Sequence, residues 1–300
     1  MGAFRLSLNI LRHGREKNIM NIAVVGGMNL DLLGAPDRPL IPRDSTPGKI
    51  TLRPGGVGRN IAARLTELGA KVSLITALGN DERAKMLSNL CASSGIDLSL
   101  SLPTACPAPC YLCIHDDQGD MALAVNDMTA MECLTPSAME SRMDQVNRGD
   151  GCVLDANLRA DTLKYIAENA KVPLILDPVS CAKAPRVKAV LPYLTAIKPN
   201  RMEAEALTGE KNVERAAQAL LKAGVKNVFV SLGAEGIYYA NLDDRGYIPA
   251  RPLPSIPATG AGDALCAGIV LSILEKRNIS SCAEMGRDTA YRALMNGFQE

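Results

Sequence analysis

The chain has 300 residues, 47% of them hydrophobic, and a formal net charge of +1. That is enough apolar material for one large α/β domain with a small attachment, and the near-neutral charge gives no basic field for nucleic acid. With no Trp and three Phe it lacks stacking platforms for single strands, and no apolar run approaches the roughly 20 residues that span a bilayer.

The first segment, "MGAFRLSLNILRHGREKNIM", carries Arg5, Arg12, His13 and Arg15 before its first acid, Glu16. It is too polar for a signal peptide. A transit segment fits the charge, but residues 1–19 are expected to be a disordered extension. Nine Cys without a secretory signal imply reduced thiols and a cytoplasmic protein. Cys106, Cys110 and Cys113 match no common zinc spacing, and core or lid packing is the expected role.

From residue 20 onward, strand and helix signals alternate. "NIAVVGG" (21–27) reads as a buried strand. Residues 57–70 read as a helix, with Ile61, Ala62, Leu65 and Leu68 at helical spacing and Gly69 as its stop. A strand follows at 71–79, then a helix at 81–95. Residues 150–156, 172–179 and 226–233 read as further buried strands, with helices around 160–170, 183–190 and 201–223 between them. This rhythm predicts a doubly wound parallel sheet. Two pieces interrupt it: Pro-rich 29–53, and 108–127, which alternates around the turn signal "DDQGD". Their pairing would make a small β layer standing off the main sheet. "ISSCAEMGRDTAYRALMNGFQE" at the end reads as one helix.

The candidate chemistry sits in glycine-rich stretches. In "TGAGD", Gly260 and Gly262 let backbone N–H groups converge where a helix begins, which makes an anion site. Asp263 there fits a base that takes a proton from a hydroxyl attacking a phosphoryl group, and the helix start is expected to lower its pKa. A plain helix cap is the competing role. In "RPGGVGRN", Gly55, Gly56 and Gly58 open a helix, and Asn60 could meet a sugar hydroxyl. It matches neither the P-loop nor the dinucleotide fingerprint. In "KPNRMEAE", Asn200 and Glu203 share a helix face, suiting either hydrated Mg²⁺ or a capping box; local pattern favours the box. In "SLGAEG", Gly233 and Gly236 suit a flat ligand or a hairpin turn.

Taken together, "GGMNLD", "GGVGRN", "KPNRMEAE", "SLGAEG" and "TGAGD" resemble, in order and spacing, the ribokinase-like (PfkB) carbohydrate and nucleoside kinases, from about Met20 to about residue 295. Within that family "TPGKITLRPGGVGRNIA", "LAVNDM", "LDPVS" and "KPNRMEAEALTG" are most similar to its pseudouridine kinases. The resemblance implies an α/β ribokinase-like fold with a β lid over residues 20–300, and a homodimer through that lid. It also implies ATP and Mg²⁺ as co-substrates and a nucleoside phosphorylated at its 5′-hydroxyl. Carried over by position, Asp263 is the base and Gly260, Ala261 and Gly262 the anion hole. Asn29 and Asp31 hold ribose hydroxyls, and Gly55, Gly56 and Asn60 close the sugar floor. Asn200 and Glu203 organise Mg²⁺, with Glu203 acting indirectly. Ser231, Gly233 and Gly236 line the ATP side. Lys49, Asn126 and Asp127 are candidates for reading the base or closing the lid. Another sugar or nucleoside kinase of the family, or a ligand-binding member without turnover, are the alternatives. Pro257 and Ala258 depart from the family's Asp-Thr, leaving a monovalent cation open. Relatives continue past the last helix, so weakened ATP binding or weakened stability is expected. "GRDTAYRAL" is more polar than the segment the family has there.

Overall fold

The computed structural model describes residues 19–253 and 260–297. Residues 1–18, Pro257, Ala258 and Thr259, with the expectations placed on them, lie outside the described residues.

In chain order, β1 (Asn21–Val25) leads to β2 (Asn29–Pro36), β3 (Gly48–Gly55) and α1 (Val57–Glu67). Next come β4 (Lys71–Ile75), β5 (Ala77–Leu78), α2 (Glu82–Ser93), β6 (Ile96–Asp97) and β7 (Leu102–Pro103). The hairpin β8 (Cys110–His115) and β9 (Met121–Asp127) precedes α3 (Pro136–Glu140) and α4 (Met143–Arg148). Then follow β10 (Gly151–Asp155), α5 (Ala160–Asn169), β11 (Leu174–Asp177) and β12 (Ala196–Ile197). The last third holds α6 (Arg201–Thr208), α7 (Val213–Lys222), β13 (Asn227–Ser231), β14 (Ile237–Ala240) and β15 (Arg245–Ile248). It closes with α8 (Ala261–Leu274) and α9 (Ile279–Gly297).

Nine strands form the main sheet in the order β15-β14-β13-β12-β11-β10-β1-β4-β6. The seven from β13 to β6 run parallel, and their apolar runs are covered on both faces, as parallel strands require. One core lies against α3 to α7; the other lies against α1, α2, α8 and α9. α8 is apolar nearly all round because it is enclosed: Ala264, Cys266, Ala267, Ile269 and Val270 are fully buried.

Four expectations need correction. The strand expected over 71–79 breaks at Thr76, whose N–H turns to Ser101 Oγ, and Ala77–Leu78 pairs with β7 in a separate two-stranded sheet. The helix expected over 201–223 is two, because Gly209 adopts φ +79° and ends the first, while Asn212 caps the second. Around 183–190 the chain forms a 3₁₀ helix, Ala184–Tyr193, which starts beside Pro185 and contains Pro192. The sheet is also not wholly parallel, because β14 and β15 add antiparallel at one edge.

The second sheet has the order β3-β2-β8-β9. Its register sorts side chains by parity. Arg53, Asp31, Tyr111 and Asn126 form one row across it. Leu52, Leu32, Leu112 and Val125 form the next row, on the opposite face. Ile50, Leu52, Leu123 and Val125 on that apolar face are exposed.

Leu65 on α1 is fully buried between helix and sheet. Leu65→Ala is expected to cost about 2–5 kcal/mol of unfolding free energy with an unchanged denaturant slope. A loss under about 1 kcal/mol in urea titrations would show that this face is not tightly packed.

Candidate active site

The parallel strands deliver their chemistry at one edge. Asp155 ends β10, Asp177 ends β11, Lys198 and Asn200 follow β12, and Ser231 ends β13. Binding groups of open α/β sheets collect at this carboxyl edge. The starts of α1 and α8 face the same space, because Asn60 Nδ2 donates to Asp263 Oδ2 at 2.8 Å.

Each helix start is shaped by a glycine. Gly56, at φ +94°, precedes α1; a Cβ there would lie 2.7 Å from Met28 Cα. Gly260, at φ +81°, is the N-cap of α8, leaving no side-chain cap for the first-turn N–H groups. Asp263 lies within α8's first turn rather than at its cap, so simple capping is not its role.

Its titration departs from the sequence expectation. Burial is the largest influence and the nearby charge of Asp177 adds to it; together they push the Asp263 pKa up to about 7. The Asn60 hydrogen bond and the positive Lys198 pull the other way and lose. The helix start therefore does not leave a weak base: the carboxyl is poised near neutrality.

Asn29 and Asp31 lie two apart on β2, and Asn29 Nδ2 donates to Asp31 Oδ1 at 2.5 Å. Burial raises the Asp31 pKa, against the Asn29 bond and Arg59. Gly55 lies opposite Asn29, and a Cβ there would overlap the Asp31 carboxylate. The sugar-floor candidates Asn29, Asp31, Gly55, Gly56 and Asn60 are thus gathered around the β2–β3–α1 corner.

Asn200 and Glu203 do form the capping box. Asn200 Oδ1 accepts from the Glu203 N–H at 2.8 Å, and Glu203 Oε2 accepts from the Asn200 N–H at 2.9 Å. Glu203 Oε1 also accepts from Asn200 Nδ2 at 2.8 Å. Among the described residues no group of three or more His, Cys, Asp or Glu could cage a metal ion. The donor set fits an ion that keeps its own waters and is met at second hand. Ser231 bridges to Asn200 beside it. Gly233 and Gly236 bound the short 3₁₀ turn joining antiparallel β13 and β14, so the hairpin role is real.

The lid candidates are not gathered. Lys49 on β3 is paired with Ala35, four residues along from the row that holds Asn126 on β9. The two therefore stand roughly 20 Å apart across the sheet. Asp127 is exposed on the other face from Asn126, and its Oδ1 accepts from the Thr129 N–H at 3.0 Å.

Sequence reasoning missed three buried groups. Asp155 Oδ2 accepts from the N–H groups of Gly27 and Gly58, both at 2.8 Å. Asp177 Oδ2 lies 2.8 Å from Lys198 Nζ. A carboxylate closing an apolar strand, as in "GCVLD" and "LILD", was the available signal.

Because its native pKa lies above the unfolded value near 4, Asp263 favours the fold when protonated. That contribution is present below pH 4 and is lost as pH rises through about 7. Asp263→Asn should therefore raise Tm more at pH 8 than at pH 5. Equal shifts at both pH values would mean the carboxylate pays no burial penalty.

Comparison with known proteins places this chain in a family. Residues 20–294 match the model of the pfkB family carbohydrate kinases. The chain is 35% identical to the pseudouridine kinase of Escherichia coli, over 85% of this chain and 83% of that protein. It is 25% identical to the pseudouridine kinase of Arabidopsis thaliana, over 92% and 90% of the two chains. Among solved structures, the ribokinase of Thermotoga maritima superposes with a TM-score of 0.80 at 25% identity, covering 92% of each chain. With its carboxyl-edge site and its second sheet, this chain belongs to the pfkB family of carbohydrate kinases.

Proposed function

We propose that the protein transfers the γ-phosphoryl group of ATP to the 5′-hydroxyl of pseudouridine. The observation that carries the reading is Asp263, poised near neutrality 2.8 Å from Asn60 and one turn into a helix whose first N–H groups have no side-chain cap. The substrate rests on the likeness to the Escherichia coli pseudouridine kinase.

In this mechanism the Asp263 carboxylate accepts the 5′-hydroxyl proton as that oxygen bonds to the γ-phosphorus. The bond from the γ-phosphorus to the β,γ-bridging oxygen breaks, and ADP leaves with its electron pair. The N–H groups of Gly260, Ala261 and Gly262 face the charge that gathers on the phosphoryl oxygens. Asp31 accepts from the ribose hydroxyls, and Asn29 accepts from or donates to them, over Gly55, Gly56 and Asn60. Ser231, Gly233 and Gly236 lie on the ATP side. Asn200 and Glu203 would hold a hydrated Mg²⁺ through its waters; when bound, that ion neutralises phosphate charge. Pseudouracil offers two ring N–H groups and two carbonyls, and the Asn126 amide can satisfy one of each. Lys49 and Asp127 serve lid closure, since each lies away from Asn126.

The exposed apolar face of the second sheet, with Ile50, Leu52, Leu123 and Val125, has the character of an interface core. A second copy of this chain is the proposed occupant. Leu52→Asp with Val125→Asp should turn a dimer into a monomer in sedimentation velocity; an unchanged sedimentation coefficient would remove the dimer.

ADP release with Mg²⁺-ATP tests the reaction, comparing pseudouridine, uridine, inosine, ribose and fructose with no acceptor. Pseudouridine-selective turnover is expected, and Asp263→Asn should lose most of it, on the order of 10²–10³-fold, while still binding nucleoside. Turnover with another acceptor would keep the kinase and discard the substrate. Turnover by Asp263→Asn within a few fold would discard the base. A folded protein inert to the whole panel would make ligand binding without turnover the better reading.

A further inference from the structure

Lys198 is the most completely buried cation near the site. Its side chain is 6% exposed, and that of its partner Asp177 is 4% exposed. Its backbone N–H donates to Leu176 O at 3.0 Å, so the residue extends β12 and the direction of its side chain is set by the sheet. Asp177 Oδ1 accepts from the Val179 N–H at 2.8 Å. Val179 holds φ +68°, a costly conformation for a β-branched residue. The chain thus accepts local strain at the turn that fixes Asp177.

Stability does not account for such a pair. Removing two charges from water costs about as much as their attraction returns, and an apolar pair of similar volume would serve the core as well. Position suggests another role. A Cβ built at Gly262 would lie 3.5 Å from Lys198 Nζ, so the ammonium sits directly behind the first turn of α8. An ammonium has three donors. Among the described residues Asp177 is its one ion-pair partner, with Oδ2 at 2.8 Å. The groups that face it are Asp177, Cys266 and Glu203, with Asp263 also within its field. Burial opposes its charge, yet these neighbours outweigh burial and hold its pKa above the ordinary lysine value.

We infer that Lys198, clamped by Asp177, is a positioning residue for phosphoryl transfer: its fixed positive charge backs the Gly260–Gly262 loop and favours the negative phosphoryl group held there. The inference rests on the kinase reading above. The first-turn N–H groups supply partial charges, and the ammonium adds a full one behind them, in a place water does not screen. Asp177 prevents the flexible lysine stem from moving to solvent.

Three proteins test this: wild type, Lys198→Met, and the double variant Lys198→Met with Asp177→Asn. Lys198→Met should lower kcat by about 10²–10³-fold, leave the nucleoside KM within about threefold, and lower Tm by stranding Asp177. The double variant should recover most of the Tm and none of the kcat. Recovery of both would make the pair structural and overturn the inference, as would Lys198→Met turning over within a few fold of wild type. A readout without turnover is the Tm gain from ADP with orthovanadate, which should be large for wild type and small for both variants. Equal gains would likewise overturn it. A wild type inert to every acceptor sinks the kinase reading instead, and the vanadate comparison still decides whether Lys198 holds an anion.

Discussion

Asp155 Oδ2 accepts hydrogen bonds from the N–H groups of Gly27 and Gly58 and from Asn157 Nδ2, at 2.8, 2.8 and 3.0 Å. These donors come from the end of β1, the start of α1 and the turn after β10. One buried oxygen therefore ties three chain segments into a corner. The approach is so close that a Cβ at Gly26 would lie 2.6 Å from the Asp155 Cγ. α1 can present Asn60 to Asp263 only because this corner is fixed. The glycines here are less a flexible loop than the space a carboxylate needs.

Burial governs the electrostatics of the same edge. It raises the pKa values of Asp155, Glu203 and Asp263, and in each case the hydrogen bonds to the carboxylate only moderate the effect. Several acids converge on a space where a phosphorylated ligand would bring more negative charge. Lys198, the half-buried Lys183, whose Nζ donates to Asn157 Oδ1 at 2.5 Å, and Arg59, which faces Asp263 and Asp31, are compensating cations. An edge this acidic holds phosphates only with help, which is the physical reason for a hydrated divalent ion in the proposed reaction.

Much of the fold was legible. Apolar strands at 21–25, 151–155, 174–177 and 227–231, separated by amphipathic helices, imply a covered parallel sheet. "DDQGD" marked the β8–β9 turn, where Asp116 N–H bonds to Asp120 O at 2.8 Å. The break at Thr76 was not legible, because "KVSLITALG" reads as one continuous strand and only tertiary pairing assigns its halves to different sheets. Gly209 carried a signal for the helix stop that the helical pattern on either side masked. At the site, the glycine stretches stood out by composition. The pairing of Asp177 with Lys198 did not, since they lie 21 positions apart and only the parallel register brings them together. The sign of the Asp263 shift was also illegible: a helix start is visible in sequence, whereas the depth of burial around it is not.

The second sheet has one further consequence. Along β3, Lys49, Thr51 and Arg53 share a face with Asp31, while Ile50 and Leu52 point the other way. Two unrelated tasks are thus written on alternate letters of one strand. A substitution at an odd position alters what the polar side meets, and one at an even position alters what the apolar side covers, so the two properties can drift independently. A change in length cannot do so. One residue gained or lost within β3, between Gly48 and Gly55, would slide the register by one and exchange the two faces at once. Within this strand, substitution is a fine adjustment and insertion is an inversion.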